Sequence, residues 1–288
     1  MTIFKNFSIK IFVILLAIFI PITVFSSDES AQNLNYMRTL RYFSQTIANE
    51  VLIINLKCDF PATSKIYGYK SEVNPERLRI VVNLFERLLN SFINGDPELN
   101  IKLLNNSKWR VCVNDLNNKW EKIFPLIKII LNNNEAGSPI VNNILDAISL
   151  IFNQANECVK ILDDNNSPNI RTTIKNLYSI NQALTKNFYT IAFRKNIEEE
   201  QATAKQLLNL FDNYMKAFQK GSKELSITQS IDPDIQAQIN KIDDLWNKQK
   251  SLIETAIYAD QIPKYKLTEM VALNLNILDQ IDALSKIY

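Results

Sequence analysis

The chain has 288 residues, 47% of them hydrophobic and 22% charged, which is the balance of a globular protein with one sizeable core or two smaller ones. It contains no histidine, and this excludes Ser-His-Asp and Cys-His catalysis, histidine-ligated metals and the usual histidine pH switch. The formal net charge of +2 indicates neither nucleic acid nor an acidic membrane surface as a partner.

The amino-terminal segment has the pattern of a secretory signal. Lys5 and Lys10 precede an apolar run over residues 11–25, after which the chain turns polar. As a helix this run would span roughly 22 Å, less than the ~30 Å hydrocarbon core of a bilayer, and Pro21 interrupts it. We therefore expect residues 1–26 to be a cleaved signal peptide and the mature chain to be periplasmic. An uncleaved amino-terminal membrane anchor is the alternative.

The first helical pattern after this segment places an arginine at the edge of an apolar face. Four residues at i, i+4, i+7 and i+11 spacing share one stripe of the helix: Met37, Arg41, Ser44 and Ala48. Because a buried charge needs a partner, Arg41 must meet an acid, backbone carbonyls or a bound anion. Its planar guanidinium suits nitrate or a carboxylate, and Ser44 and Gln45 could add donors. An ion pair with Glu50 or Glu86, or a solvated side chain, is the alternative.

Two segments of this sequence are similar to each other. "NLFERLLNSFINGDPELNI" begins at Asn83 and "NLFDNYMKAFQKGSKELSI" begins at Asn209, 126 positions later. The register holds without a gap over residues 83–127, and scattered identities continue it to the end of the chain. Several large residues are identical in this register: Phe85/Phe211, Phe92/Phe218 and Trp120/Trp246. We interpret the chain as two copies of one unit.

Each copy has the apolar spacing of four helices, with Gly95 and Gly221 as stop signals. The predicted fold is therefore all-α, with two tandem up-down four-helix bundles after the amino-terminal signal segment. The bundles are expected over residues 30–165 and 168–288. Pro125 lies inside a helical pattern, where we expect a kink or a break.

The first helices of the two copies match at a different offset. Thr46-Ile47-Ala48 corresponds to Thr190-Ile191-Ala192 at a spacing of 144, so the first copy has about eighteen additional residues between its first two helices. They fall in residues 58–74. Such a loop is either a binding element or a simple insertion.

Three cysteines make an odd number for an oxidising compartment. Cys112 is expected near the start of the third helix and Cys158 near the end of the fourth, and these ends are adjacent in an up-down bundle. A Cys112–Cys158 disulfide is therefore plausible, with Cys58 left over at the opposite pole. Buried free thiols are the alternative.

The segment from Leu34 to Leu56 resembles the opening helix of the PilJ/NarX-type periplasmic sensor domain. That family includes the amino-terminal domains of type IV pilus methyl-accepting chemotaxis transducers and of nitrate/nitrite sensor kinases. Asn35, Arg41, Ser44 and Gln45 stand at positions of the family's motif, whereas Arg38, Thr39 and Thr46 depart from it.

The resemblance implies a helical sensor module, here as a tandem duplicate. It implies that Arg41 takes part in anion recognition between two first helices, with Met37, Arg38, Ser44 and Gln45 as the other ligand-binding positions. In the second copy Thr185 stands opposite Arg41, so any binding is expected to be asymmetric.

Two functions follow as expectations. The first is a periplasmic sensor-like protein that binds a small anion and acts with a separate membrane sensor or pilus-related partner. The alternative is a non-enzymatic envelope scaffold linked to pilus or surface machinery. No enzymatic activity, cofactor, metal or nucleic-acid partner is expected, because no phosphate-binding loop or metal-ligand spacing is present. Homodimerisation, as among the relatives, is left open.

Overall fold

The computed structural model describes residues 29–57, 75–163 and 170–287, and this part of the chain folds into eight α-helices. In chain order the helices are α1 (Glu29–Asn55), α2 (Glu76–Asn94), α3 (Ser107–Asn133), α4 (Ser138–Leu162), α5 (Ile170–Ala192), α6 (Ile197–Lys220), α7 (Pro233–Tyr258) and α8 (Lys264–Ile287). The all-α prediction is confirmed. The predicted signal segment, the inserted loop and Cys58 lie outside the described residues.

The helices form two groups of four. In the first group α1 packs on α2, α2 on α3, α3 on α4 and α4 on α1, which closes a ring around an apolar centre. In the second group α5, α6, α7 and α8 close a ring in the same order. The groups meet where α1 packs against α5, and one continuous core runs through both.

Structural details recur at the spacing of 126. Helix α2 ends at Gly95 with φ of 79°, and α6 ends at Gly221 with φ of 80°. Each glycine is followed by a short turn closed by an isolated bridge, Asp96 to Ile101 in one group and Ser222 to Ile227 in the other. Glycine suits both stops because this positive-φ, extended conformation is strained for residues with a Cβ.

Each group is centred on a buried tryptophan. Trp120 packs on Phe85 with a centroid distance of 4.3 Å, and Trp246 packs on Phe211 at 4.0 Å. The indole Nε1 donates to an acid on the neighbouring helix in both cases, Glu86 at 3.3 Å and Asp212 at 2.7 Å. The tryptophans are thus core anchors with a satisfied polar edge.

Helix α1 is the most enclosed element. Residues 42–54 are all buried because α2, α4 and α5 cover it from three directions. Helix α3 runs through Pro125 without interruption, so no break occurs there. The fold thus positions one fully enclosed helix, α1, between the two groups, and the residues predicted to bind a ligand lie on it.

Candidate functional site

Arg41 lies on the side of α1 that faces α4. Its Nη1 donates to Asn156 Oδ1 on α4 at 3.0 Å, while its Nε atom is buried without a hydrogen-bond partner. Burial and the nearby Arg38 lower the pKa of Arg41 to about 10, and Tyr214 on α6 opposes this shift. The side chain is therefore a charged guanidinium in an unfavourable environment that is only partly compensated.

The acids considered as partners of Arg41 are engaged elsewhere. Glu50 binds Arg77 Nη2 at 2.7 Å, and Glu86 accepts from the Trp120 indole. Among the described residues no carboxylate forms an ion pair with Arg41. The intramolecular ion-pair alternative is therefore absent from the described part of the chain.

Arg38 lies one turn before Arg41 and is neutralised. Its Nη2 atom is 2.7 Å from Asp163 Oδ2 at the end of α4, and both side chains are largely buried. Lys175 on α5 donates to Asn35 Oδ1, so a third cationic side chain reaches across the α1–α5 contact. Asn176 on α5 lies 3.5 Å from the Tyr214 hydroxyl. This side of the α1–α5 contact is cationic, with amide and phenol groups around it.

The other predicted ligand-binding residues lie nearby on α1 and are buried. The Ser44 hydroxyl donates to the Arg41 carbonyl at 2.7 Å and is fully buried. Met37 is buried in the core, and Gln45 is buried one turn after Arg41. The structure therefore brings Arg38 and Arg41 together, with Met37 and Ser44 buried beside them.

The sequence did not indicate Asn156, Asp163 or Tyr214 as neighbours of Arg41. They lie on α4 and α6 or at the end of α4, more than 100 residues away along the chain. The only available signal was the spacing of 126, which relates Asn156 to Asp282 on α8 and marks this position as polar in both groups.

The corresponding position in the second group is a neutral polar cluster. Thr185 is fully buried and donates to Asn274 Oδ1 at 3.1 Å, and Asn181 donates to the same oxygen at 2.8 Å. Gln249 Nε2 lies 3.4 Å from the Thr185 hydroxyl. No charge is buried at this position, in contrast to Arg41.

Cys112 and Cys158 form a disulfide in the structure, with an S–S distance of 2.09 Å and Cα atoms 5.7 Å apart. The bond joins the start of α3 to the end of α4. In the second group Gln238 and Leu284 occupy the matching positions. Gln238 donates instead to Gln280 Oε1 at 3.0 Å.

Within the described residues no three His, Cys, Asp or Glu side chains come together as a metal site would require. In the acidic run after Asn196, Glu200 is paired with Lys186 at 3.4 Å. None of the eight described helices is both long and apolar enough to span a membrane.

These features define an all-helical bundle protein with a buried, uncompensated arginine beside the contact between two first helices. Residues 176–269 match the family model described as "PilJ: Type IV pili methyl-accepting chemotaxis transducer N-term". The suspected PilJ resemblance is thereby confirmed. The match relates about a third of the chain to a sensor domain of chemotaxis transducers.

The position of this match is informative. It runs from α5 into α8 and so falls in the second group, whereas the motif that suggested the family lies in α1. The second group therefore carries the family's helical pattern although it lacks the arginine motif. No curated protein and no solved structure matches the chain.

Proposed function

We propose that the chain is a periplasmic sensor-like protein that binds a small monovalent anion at Arg41 and acts with a separate membrane protein. The observation that carries this proposal is the state of the Arg41 guanidinium. It is largely buried, its Nε atom has no partner, and no described carboxylate neutralises it. A bound anion would supply the missing counter-charge.

The surroundings favour a monovalent, planar oxyanion. Asp163 already neutralises Arg38, so Arg41 is the guanidinium of this pair that lacks a counter-ion. Nitrate, nitrite and small carboxylates present two oxygens in the geometry that a guanidinium edge accepts. A divalent anion such as sulfate is harder to desolvate and finds less compensation here.

Two further observations support the proposal. The family match connects the chain to a sensor domain of pilus chemotaxis transducers. The α1–α5 contact also brings two first helices together within one chain, beside Arg41. We infer from the family that the protein is periplasmic and that the partner is a membrane sensor or a pilus-related protein. A duplicated PilJ-like unit and a homodimer belong to the same proposal.

Thermal unfolding of the purified chain in the presence of anions tests this function. Nitrate, nitrite, formate, acetate and sulfate are compared at constant ionic strength, in wild type and in Arg41→Ala. Ligand that binds only the folded state raises Tm in proportion to the logarithm of its concentration above Kd. We expect a rise with this logarithmic concentration dependence for one class of monoanion, and its loss in the variant.

Two control variants make the result specific. Arg79→Ala removes a more exposed arginine on α2 that pairs with Glu76 at 3.5 Å, so the anion response should persist. Thr185→Ala changes the position that matches Arg41, and it should lower stability through its buried hydrogen bonds without altering the response. A folded wild-type protein that responds to no anion would refute the sensor proposal and favour the envelope scaffold.

A further inference from the structure

A second polar region lies on the opposite side of the α1–α5 contact. It is a cavity of about 50 Å³ between α1 and α2 of the first group and α5 and α8 of the second. One water molecule needs only about 10–15 Å³ of such a cavity, so there is room for a small polar molecule. Arg41 does not line it.

The positive and negative charges at the cavity wall do not sum to zero. Glu50 is paired with Arg77 at 2.7 Å, and Asp282 is paired with Lys286 at 2.5 Å. Asp279, one turn before Asp282 on α8, forms no hydrogen bond or ion pair with the described residues. The wall therefore carries one uncompensated negative charge, that of Asp279.

A buried acceptor also lies in the wall. Asn49 is 2% exposed, and its Nδ2 donates to the carbonyl and side-chain oxygens of Gln182. Its Oδ1 is buried and receives no hydrogen bond. Because a buried, unsatisfied acceptor is costly, this oxygen indicates a place for a hydrogen-bond donor.

Aromatic rings complete the wall. Tyr42 on α1 and Tyr178 on α5 meet edge to face at 5.9 Å between their centroids. Tyr178 also donates its hydroxyl to Asp282, which fixes the ring. An ammonium group is attracted both to carboxylates and to the faces of such rings.

The composition of this wall excludes other ligand classes. An anion would meet Asp279 and the unsatisfied acceptor of Asn49, both of which repel it, and the charge of Arg77 in the same wall is already neutralised by Glu50. A zinc-type or calcium site built on three acidic, histidine or thiol side chains does not occur among the described residues. The remaining class is a monovalent donor-rich cation.

We propose that this cavity binds the primary ammonium group of a small organic amine. Asp279 supplies the counter-charge, Asn49 Oδ1 accepts a hydrogen bond, and the rings of Tyr42 and Tyr178 enclose the ligand. This proposal is independent of anion binding at Arg41, since the two sites share no residue.

Calorimetric titration with ethylammonium chloride tests the proposal. Sodium chloride at the same ionic strength controls for non-specific salt effects, and n-propanol is the uncharged molecule of similar size. We expect saturable heat with ethylammonium only. Asp279→Asn keeps the shape of the side chain and removes its charge, so the affinity should fall at least about tenfold.

The control variant is Asp244→Asn on α7, an exposed acid outside the cavity, which should leave the affinity unchanged. Arg41→Ala should also leave it unchanged, so failure of either site can be recognised separately. Equal binding of n-propanol, or undiminished binding by folded Asp279→Asn, would overturn the proposal. Should that variant not fold, absence of saturable ethylammonium binding by wild type would overturn it as well.

Discussion

Removing the arginine that neutralises Glu50 should destabilise the protein strongly, and in a pH-dependent way. Glu50 is almost completely buried, with a side chain 2% exposed, and Arg77 Nη2 lies 2.7 Å from its Oε1. Arg77→Met keeps an apolar stem of similar length and removes the positive charge. The carboxylate then has to remain buried and charged without this partner or take up a proton.

Protonation of Glu50 limits the loss of stability that removal of Arg77 causes. Burial already raises the pKa of Glu50, with Arg77 opposing the shift. Without Arg77 the carboxyl should stay protonated in the folded state at pH 7. Protonating a group of ordinary pKa near 4.3 at pH 7 costs about 3–4 kcal/mol, at 1.36 kcal/mol per pH unit. We therefore expect Arg77→Met to lower the free energy of unfolding by up to that amount at pH 7, less the part that the raised pKa of Glu50 already costs wild type.

The sign of the pH dependence follows from the same reasoning. A protonated Glu50 in the folded variant means that the native state binds one proton more than the unfolded state between about pH 5 and 7. The cost of Arg77→Met should thus shrink by up to about 1.4 kcal/mol per pH unit as the pH falls towards the raised pKa of Glu50 in wild type, and it should be small at pH 4.5.

Urea unfolding followed by tryptophan fluorescence at pH 4.5, 6 and 7.5 measures the free energy of unfolding of wild type and Arg77→Met. Arg79→Met on the same helix is the matched control, because its ion pair with Glu76 is about half exposed. It should cost no more than about 0.5 kcal/mol at any pH. A cost of Arg77→Met below about 1 kcal/mol at pH 7.5, or one independent of pH, would refute the reasoning.

Two further predictions concern the disulfide and Asp279. Cys158→Ser opens the bond to Cys112, which closes a loop over a sequence separation of 46. Chain entropy gives a loss of about 4 kcal/mol in denaturant unfolding, and an unchanged midpoint would show that the bond does not stabilise the fold. Burial and the neighbouring Asp282 raise the pKa of Asp279 to about 6, so wild type loses stability as the pH rises from about 4 through 6. Asp279→Asn should therefore gain about 1–2 kcal/mol over wild type between pH 4 and 7, after allowance for solvent screening, and parallel profiles would contradict this.

The helical architecture could be predicted because it depends on local sequence patterns. Apolar residues at helical spacing, the stops at Gly95 and Gly221 and the capping residue Asp232 each act within a few positions of the chain. The structure places helix ends at these glycines and at Asp232, whose Oδ1 accepts from Asp234 N at 2.8 Å. These features need no knowledge of distant contacts.

The burial of α1 on all sides could not be predicted in the same way. The spacing of Met37, Arg41 and Ser44 indicated one buried face, as in a simple four-helix bundle. The second buried face exists because α5, more than 100 residues later, packs against it. Polar residues such as Thr46 and Asn49 on that face then line a cavity between the groups rather than facing solvent.

One wrong alternative could have been excluded from the sequence. Arg41 and Glu50 are nine residues apart, which is about 900° of rotation and places them on opposite faces of one helix. They cannot pair within α1, and in the structure Arg41 contacts α4 while Glu50 contacts Arg77 on α2. Helical rotation therefore also explains why the two charged residues belong to different sides of the α1–α5 contact.

The two sides are related by the internal correspondence of the helices. Helices α1, α2 and α4 of the first group correspond to α5, α6 and α8 of the second. The helices α2 and α8 that line the cavity therefore correspond to α6 and α4, which surround Arg41. At matching positions Asn156 holds Arg41 and Asp282 holds Tyr178, while Thr185 stands where Arg41 does in the first group.

This arrangement has a consequence for function. In a symmetric homodimer a residue on one side of the interface is necessarily present on the other, so both sites bind the same ligand. A single chain with two helix groups is free of that constraint. Here one side has an uncompensated cation, Arg41, and the other an uncompensated anion, Asp279. Their counterparts in the other group, Thr185 for Arg41 and Asn153 for Asp279, are neutral, so each uncompensated charge is confined to one group and packing alone does not require it.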